Sequence, residues 1–182
     1  MQIVDEIINK YQTNNDLYIG EKVTMSEHMI QSAMLAEQNR SSESLICACL
    51  LHDYGHFIID DPDFLVSKSL DGEHEEVAFN FFKDYFKPEV TEPIKLHVLA
   101  KRYLCRNKSY WDILSEASKV SLKFQGGIMK DNEAKKFTSL RFHKDAISLR
   151  KYDDDGKVPN IKIKKIDDYR NLINSQLIRS TI

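Results

Sequence analysis

His52 and Asp53 are neighbours in the segment Cys49-Leu50-Leu51-His52-Asp53-Tyr54-Gly55-His56, and the chain carries further residues of metal-binding type at His28, His74, His97 and Asp153. Imidazole and carboxylate suit iron, manganese, zinc or magnesium, whereas copper(I) or an iron–sulfur cluster calls for thiolates. No cysteine neighbours these histidines and aspartates. Cys47, Cys49 and Cys105 are an odd number in apolar segments and are expected to be buried free thiols. Two adjacent ligands of different chemistry can hold one ion and reach a second, so the pattern points to a dinuclear site. A lone histidine at a helix end is more often a cap or a satisfied core residue than a ligand, and it is the joint pattern that outweighs that alternative.

Such a site needs rigid elements around it. Six glycines and four prolines punctuate 182 residues, and apolar positions recur at helical spacing, which predicts an all-α fold. Val4, Ile7, Ile8 and Tyr11 mark one face of a first helix. Thr24-Met25-Ser26-Glu27 has the form of a capping box, so a second helix is expected to run to about Arg40 with His28 in its first turns. Ser41 or Ser42 starts a third, apolar on every side from Leu45 to Leu51 and therefore buried all round. It ends at His52 and Asp53, and polar groups delivered to a core must be paired or bound to a metal, because leaving them unsatisfied costs several kcal/mol.

Further on, a polar loop through Asp60-Asp61-Pro62-Asp63 precedes a helix from about Gly72 to Phe86 that carries His74. Pro88 opens or precedes the next, with His97 and Lys101 four apart on one face. A helix from near Ser115 ends at Gln125-Gly126-Gly127. Another spans Phe142 to Tyr152, leads to Asp153, and is expected to break at Asp154, Asp155, Gly156 and Pro159. Ile166 to Ile178 is expected to be a terminal helix.

Composition bounds the function. A length of 182 residues fits one domain, expected over residues 1–182, able to bury roughly 70% of its unfolded surface. With 42% apolar and 30% charged residues it reads as soluble and globular, with no run long enough to cross a bilayer. The N-terminal residues lack a basic-then-apolar pattern, so a cytoplasmic location is expected. A formal charge of −2 argues against a nucleic-acid partner, and Lys162, Lys164 and Lys165 read as solvated surface.

His28, His52-Asp53, His74, His97 and Asp153, in that order on helices, resemble the ligand set of the HD-domain superfamily from about Tyr18 to Pro159. Most of its members are phosphohydrolases. Here Tyr18-Ile19-Gly20-Glu21, His56, Lys101, Ser118, Gln125-Gly126-Gly127 and Arg150-Lys151-Tyr152-Asp153 extend the likeness over nearly the whole chain, toward the HD-domain oxygenases that use a mixed-valence diiron centre to cleave carbon–phosphorus bonds.

That resemblance implies a helical bundle holding two irons, Fe2+ and Fe3+, with O2 as co-substrate. His28, His52, Asp53 and Asp153 would hold one iron, and Asp53, His74 and His97 the other; Asp154 and Asp155 remain alternatives to Asp153. Tyr18 would be a displaceable ligand, or else a core aromatic. Glu21 would receive a substrate ammonium. Lys101, Ser118 and Arg150 would bind the phosphonate, unless the two basic residues are surface groups. His56 would contact substrate or relay a proton near neutral pH, unless it is a loop residue, and Gln125 would line the pocket or merely end a helix. The implied substrate is a small organophosphonate, foremost (R)-2-amino-1-hydroxyethylphosphonate, giving glycine and phosphate, with its trimethylammonium analogue or hydrolysis of nucleotides and phosphomonoesters as alternatives. The enzyme is expected to be a monomer or small homo-oligomer.

Overall fold

The computed structural model describes residues 2–18, 20–59 and 73–178. Ile19, the Asp60–Asp63 loop and Gly72 lie outside them. Among the described residues there are ten α-helices and no strand beyond two isolated bridges, Leu17 with Thr24 and Phe86 with Leu177. No helix among them is long and apolar enough to cross a membrane.

The chain opens with α1 (Ile3–Thr13), whose buried stripe is the expected Val4, Ile7, Ile8 and Tyr11. Helix α2 (Met25–Gln38) starts at the Thr24 capping box, with Glu27 N–H donating to Thr24 Oγ1 at 3.1 Å and Thr24 N–H to Glu27 Oε2 at 2.7 Å. It stops at Gln38, two residues short of the expectation, because Arg40 takes a left-handed φ of 56° that no helix continues.

Helix α3 (Glu43–Leu51), capped by Ser42, has all of Leu45 to Leu51 buried. Burying side chains such as Leu50 and Leu51 contributes about 1.5–3 kcal/mol each. That offsets the cost of carrying His52 and Asp53 inside. Tyr11 of α1 donates its hydroxyl to the Leu50 carbonyl and so ties the first helix to the third.

A 3-10 turn (Tyr54–Phe57) follows and packs against α4 (His74–Phe82). Helix α4 is shorter than expected at both ends. Glu73 has a left-handed φ of 47°, which sets the start, and beyond Phe82 the backbone turns so that Phe86 can pair with Leu177. Helix α5 (Pro88–Leu104) has proline at its first position and is the spine of the bundle, packed on α3, α4 and the later α9 (His143–Asp155). Between them lie α6 (Lys108–Ile113), α7 (Glu116–Phe124) and α8 (Asp131–Ser139). Helices α6 and α8 were not anticipated: α6 buries no residue, and α8 buries only Ala134 and Phe137, too few to print a periodic stripe.

Helix α9 runs through Asp154 and Asp155 rather than breaking there. Arg150, one turn earlier, accepts Asp154 as an i,i+4 ion-pair partner, and the helix ends only at Gly156. The expected terminal helix is instead a 3-10 turn (Ile166–Tyr169) and α10 (Arg170–Ser175), because the next residues are used to pair with the segment after α4: Ile178 N–H donates to the Tyr85 carbonyl at 2.8 Å.

The main core joins α1, α2, α3, α4, the first half of α5 and Leu149 of α9 with the C-terminal Ile166, Tyr169 and Ile173. A second apolar cluster lies between α5, α8 and α9, and a third gathers Cys105, Leu114 and Leu122. All three cysteines are free and buried.

Gly55 is the tightest joint. A side chain there would collide with the His74 carbonyl, so the turn after Asp53 can touch the start of α4 only as glycine. Gly55→Ala is expected to destabilise the fold by about 1–3 kcal/mol, the usual cost of overpacking, read as a lower urea midpoint. An unchanged midpoint would contradict this packing.

Candidate metal centre and pocket

Five helices deliver one cluster. The capping box fixes the first turn of α2 and with it His28; α3 ends on His52 and Asp53; α4 begins with His74; α5 carries His97 and α9 carries Asp153. All six are buried.

They form two groups, His28 with His52 and Asp153, and His74 with His97 and Asp53, each with ligand atoms within 4.8 Å of one another. Asp53 also reaches across. Its Oδ2 lies 3.5 Å from both His28 Nε2 and His52 Nε2, while its Oδ1 lies 3.3 Å from His74 Nε2 and 3.5 Å from His97 Nε2. One carboxylate thus serves both groups with different oxygens, as a bridge between two ions requires.

The imidazoles are aimed by their far nitrogens. Nδ1 of His28 faces the Gly156 carbonyl at 3.0 Å, Nδ1 of His52 the Cys49 carbonyl at 2.9 Å, and Nδ1 of His97 the Ile94 carbonyl at 2.7 Å. Each carbonyl accepts a hydrogen bond from the Nδ1–H, which leaves the Nε2 lone pair for the centre. Glu75 Oε2, 3.5 Å from His74 Nδ1, adds a carboxylate behind the fourth ring. Facing Nε2 atoms stand only 3.2 Å apart between His28 and His52, and 3.1 Å between His74 and His97. Asp53 Oδ2 and Asp153 Oδ1 are buried without a hydrogen bond.

Converging lone pairs and orphaned carboxylate oxygens are what cations would satisfy, so the residues fit a dinuclear metal site of nitrogen and oxygen donors. Without an ion, protons compensate. Burial opposes charging His28, but Asp153 and Asp53 outweigh it and pull its pKa up to about 9, while burial pushes His52 down to about 4. Asp53, despite burial, is held well below the usual carboxylate range by His52, His28, His74 and His97.

Around the centre, Tyr18 stacks on His28 at 4.3 Å between ring centres, and the Glu21 N–H donates to the Tyr18 carbonyl at 2.9 Å, which makes the expected turn. Burial, then Asp53 and Asp153, raise the Tyr18 phenol well above its ordinary value. His56 stacks on His74 at 4.3 Å. Burial and His74 push its pKa down to about 3.

Lys101 is buried and donates to Ser121 Oγ at 2.6 Å and Gln125 Oε1 at 2.9 Å. Burial and then Arg150 lower it to about 7. Gln125 therefore both ends α7 and holds Lys101. Arg150, buried rather than on the surface, pairs with Asp153 and Asp154 and lies 3.4 Å from Ser118 Oγ.

Of the three consecutive aspartates, Asp153 reaches the histidines, with Oδ1 at 3.4 Å from His28 Nε2. Asp154 turns to Arg150 and Tyr110, and Asp155 is exposed. Sequence reasoning missed Lys157, Tyr110, Ser121 and Glu75. Only Glu75, adjacent to His74, offered a positional hint.

Two predictions follow from this geometry. A metal that takes His28 Nε2 displaces the proton held there below about pH 9, so affinity should weaken roughly tenfold per pH unit below that value. Chelator competition at about pH 6.5 and about pH 8.5 measures it, and equal affinities would refute it. Second, Asp153→Asn should lower bound metal after dialysis, whereas Asp154→Asn should retain it.

The HD domain family model matches residues 25–150, the span from the start of α2 to Arg150. The hydroxymethylphosphonate dioxygenase of Gimesia maris is 39% identical over 182 residues, covering 97% of this chain and 89% of its own length. The [1-hydroxy-2-(trimethylamino)ethyl]phosphonate dioxygenase (glycine-betaine-forming) of Leisingera caerulea is 43% identical over 141 residues, 77% of this chain and 72% of its own. An uncharacterized protein of Acanthamoeba polyphaga mimivirus is 38% identical over 185 residues, 100% of this chain and 84% of its own. With Asp53 shared between its two groups of candidate ligands, and alike to these relatives over most of its length, the chain belongs to the HD-domain family, in the branch of the phosphonate dioxygenases.

Proposed function

We propose that this protein uses O2 to oxidise C1 of a 1-hydroxyphosphonate and release the phosphorus as phosphate, with iron in the two positions that share Asp53. The observation that carries this is the Asp53 carboxylate opposed to four imidazoles, with the Tyr18 phenol flat against one of them. Hydrolysis has little need of a phenol there, whereas a phenol is a competent iron ligand. Two irons so bound would supply O2 activation and Lewis acidity toward the substrate hydroxyl.

The chain's own residues do the rest. Arg150, Ser118 and Lys101 present donors to a phosphonate, and the Arg150 fork suits its oxygens. Arg150 stays charged, since Asp153 and Asp154 outweigh burial and hold it well above its ordinary value. Tyr18 is the side chain that substrate displaces. Neutral His56 offers a hydrogen bond at the opposite end, beside His74. Chelation of substrate fixes C1 near the oxidant, the proximity contribution to catalysis.

The substrates considered are 2-amino-1-hydroxyethylphosphonate, expected from the sequence and yielding glycine, and those in the names of the two dioxygenase relatives. For each the balance is the same: one C–H and the C–P bond of C1 give four electrons to O2, whose two atoms end in the carboxylate and the phosphate.

Iron-loaded protein is expected to consume O2 and release phosphate in equal amounts from at least one of the three phosphonates. Phosphate released from phosphomonoesters by manganese-loaded protein without O2, and none from the phosphonates, would replace this reading with a hydrolase. Tyr18→Phe should alter the substrate-free electronic spectrum of the iron-loaded protein; an unchanged spectrum removes Tyr18 from the centre.

A further inference from the structure

Lys157 carries its ammonium into the pocket from a backbone pinned on both sides. The preceding Gly156 carbonyl accepts from His28 Nδ1 at 3.0 Å. The following Val158 is gripped by Gln31, whose amide donates to the Val158 carbonyl and accepts from its N–H, both at 3.0 Å. A side chain on Gly156 would run into Ser32 Oγ at 2.6 Å, so this close seat on α2 depends on glycine.

From there the lysine, 9% exposed, points inward. Nζ lies 3.4 Å from Ser118 Oγ, 3.6 Å from Asp153 Oδ1, 4.0 Å from Glu21 Oε1 and 5.2 Å from the centre of the Tyr18 ring. Glu21 Oε1 is buried and makes no hydrogen bond, and Lys157 is its ion-pair partner. The carboxylate that the family resemblance would assign to a substrate ammonium therefore already faces a cation of the protein's own.

A second ammonium, on C2 of a substrate, would have to stand beside Lys157 and share that carboxylate. Like charges so close repel strongly where water is excluded. A substrate with no cationic group meets no such penalty. Lys157 instead adds positive charge at Ser118, the hydroxyl that Arg150 also approaches, where a phosphonate gains from it.

We propose that Lys157 determines specificity by filling the cation-binding position at Glu21, so that this chain prefers a 1-hydroxyphosphonate lacking an ammonium group, hydroxymethylphosphonate being the smallest. This rests on the chain being a phosphonate oxygenase. With that substrate the products are formate and phosphate: one C–H bond and the C–P bond are broken, four electrons pass to O2, and both oxygen atoms are retained in the products.

The test is anaerobic calorimetric binding of hydroxymethylphosphonate, 2-amino-1-hydroxyethylphosphonate and its trimethylammonium analogue to the iron-loaded protein, followed by phosphate release in air. The wild type is expected to bind hydroxymethylphosphonate at least about tenfold more tightly than either cation, a difference of about 1.4 kcal/mol. Lys157→Met should reverse that order and gain affinity for an ammonium substrate, and Lys157→Arg should keep the wild-type order. Lys157→Gln takes the place of methionine if that variant does not fold with its metal. Wild-type preference for an ammonium phosphonate, or an order indifferent to the charge at this position, would overturn the role of Lys157 while leaving the oxygenase standing. Binding and turnover of none of the three would overturn both.

Discussion

The arrangement depends on one carboxylate shared between two pairs of imidazoles. Asp53 is buried, and a buried carboxylate is tolerable only if positive charge or donors surround it. Four histidine nitrogens do so within 3.5 Å, two at each oxygen. Every element that carries one of those rings must then meet at the end of α3, which explains why α2, α4 and α5 converge there and why Gly55 leaves no gap between the turn and α4.

Charge around this centre is arranged in pairs. Arg150 is held by Asp153 and Asp154, and its guanidinium leaves one Asp153 oxygen toward the histidines. Lys157 stands between Glu21, Asp153 and Ser118, and Lys101 has two neutral acceptors, Ser121 and Gln125. Burial lowers Lys101 to about 7, whereas paired Arg150 stays charged, so the two cations offer an anion different things: a permanent fork and a proton that responds to pH. The same logic divides the three aspartates: they lie within α9, where each residue turns about 100°, so Asp153 faces the histidines while Asp154 meets Arg150 and Asp155 is exposed.

Much of the fold was legible because burial leaves periodic traces. The stripe of α1, the capping box of α2, the all-apolar α3 and the proline start of α5 all appeared as read from the chain. The errors have physical causes. Helices α6 and α8 bury too little to show a stripe, and α9 outlasts its aspartates because Asp154 is satisfied by Arg150. The last helix is cut short because Leu177 and Ile178 bond to the segment at Tyr85 and Phe86 rather than to their own turn.

By itself the sequence determined the helical class and the ordered set of ligand types, because helix periodicity and residue chemistry are local properties of the chain. It could name His28, His52, Asp53, His74, His97 and Asp153 as residues of metal-binding type, and only the family resemblance added Tyr18, Glu21, Lys101 and Arg150 as their company. Only the tertiary structure decided which oxygen of Asp53 faces which histidines, that Asp153 rather than Asp154 or Asp155 reaches them, and that Lys157 faces Glu21. Those outcomes depend on packing between residues more than a hundred positions apart, such as Gln31 with Val158 and His28 with Gly156, and no spacing along the chain encodes the direction in which such a contact turns a side chain.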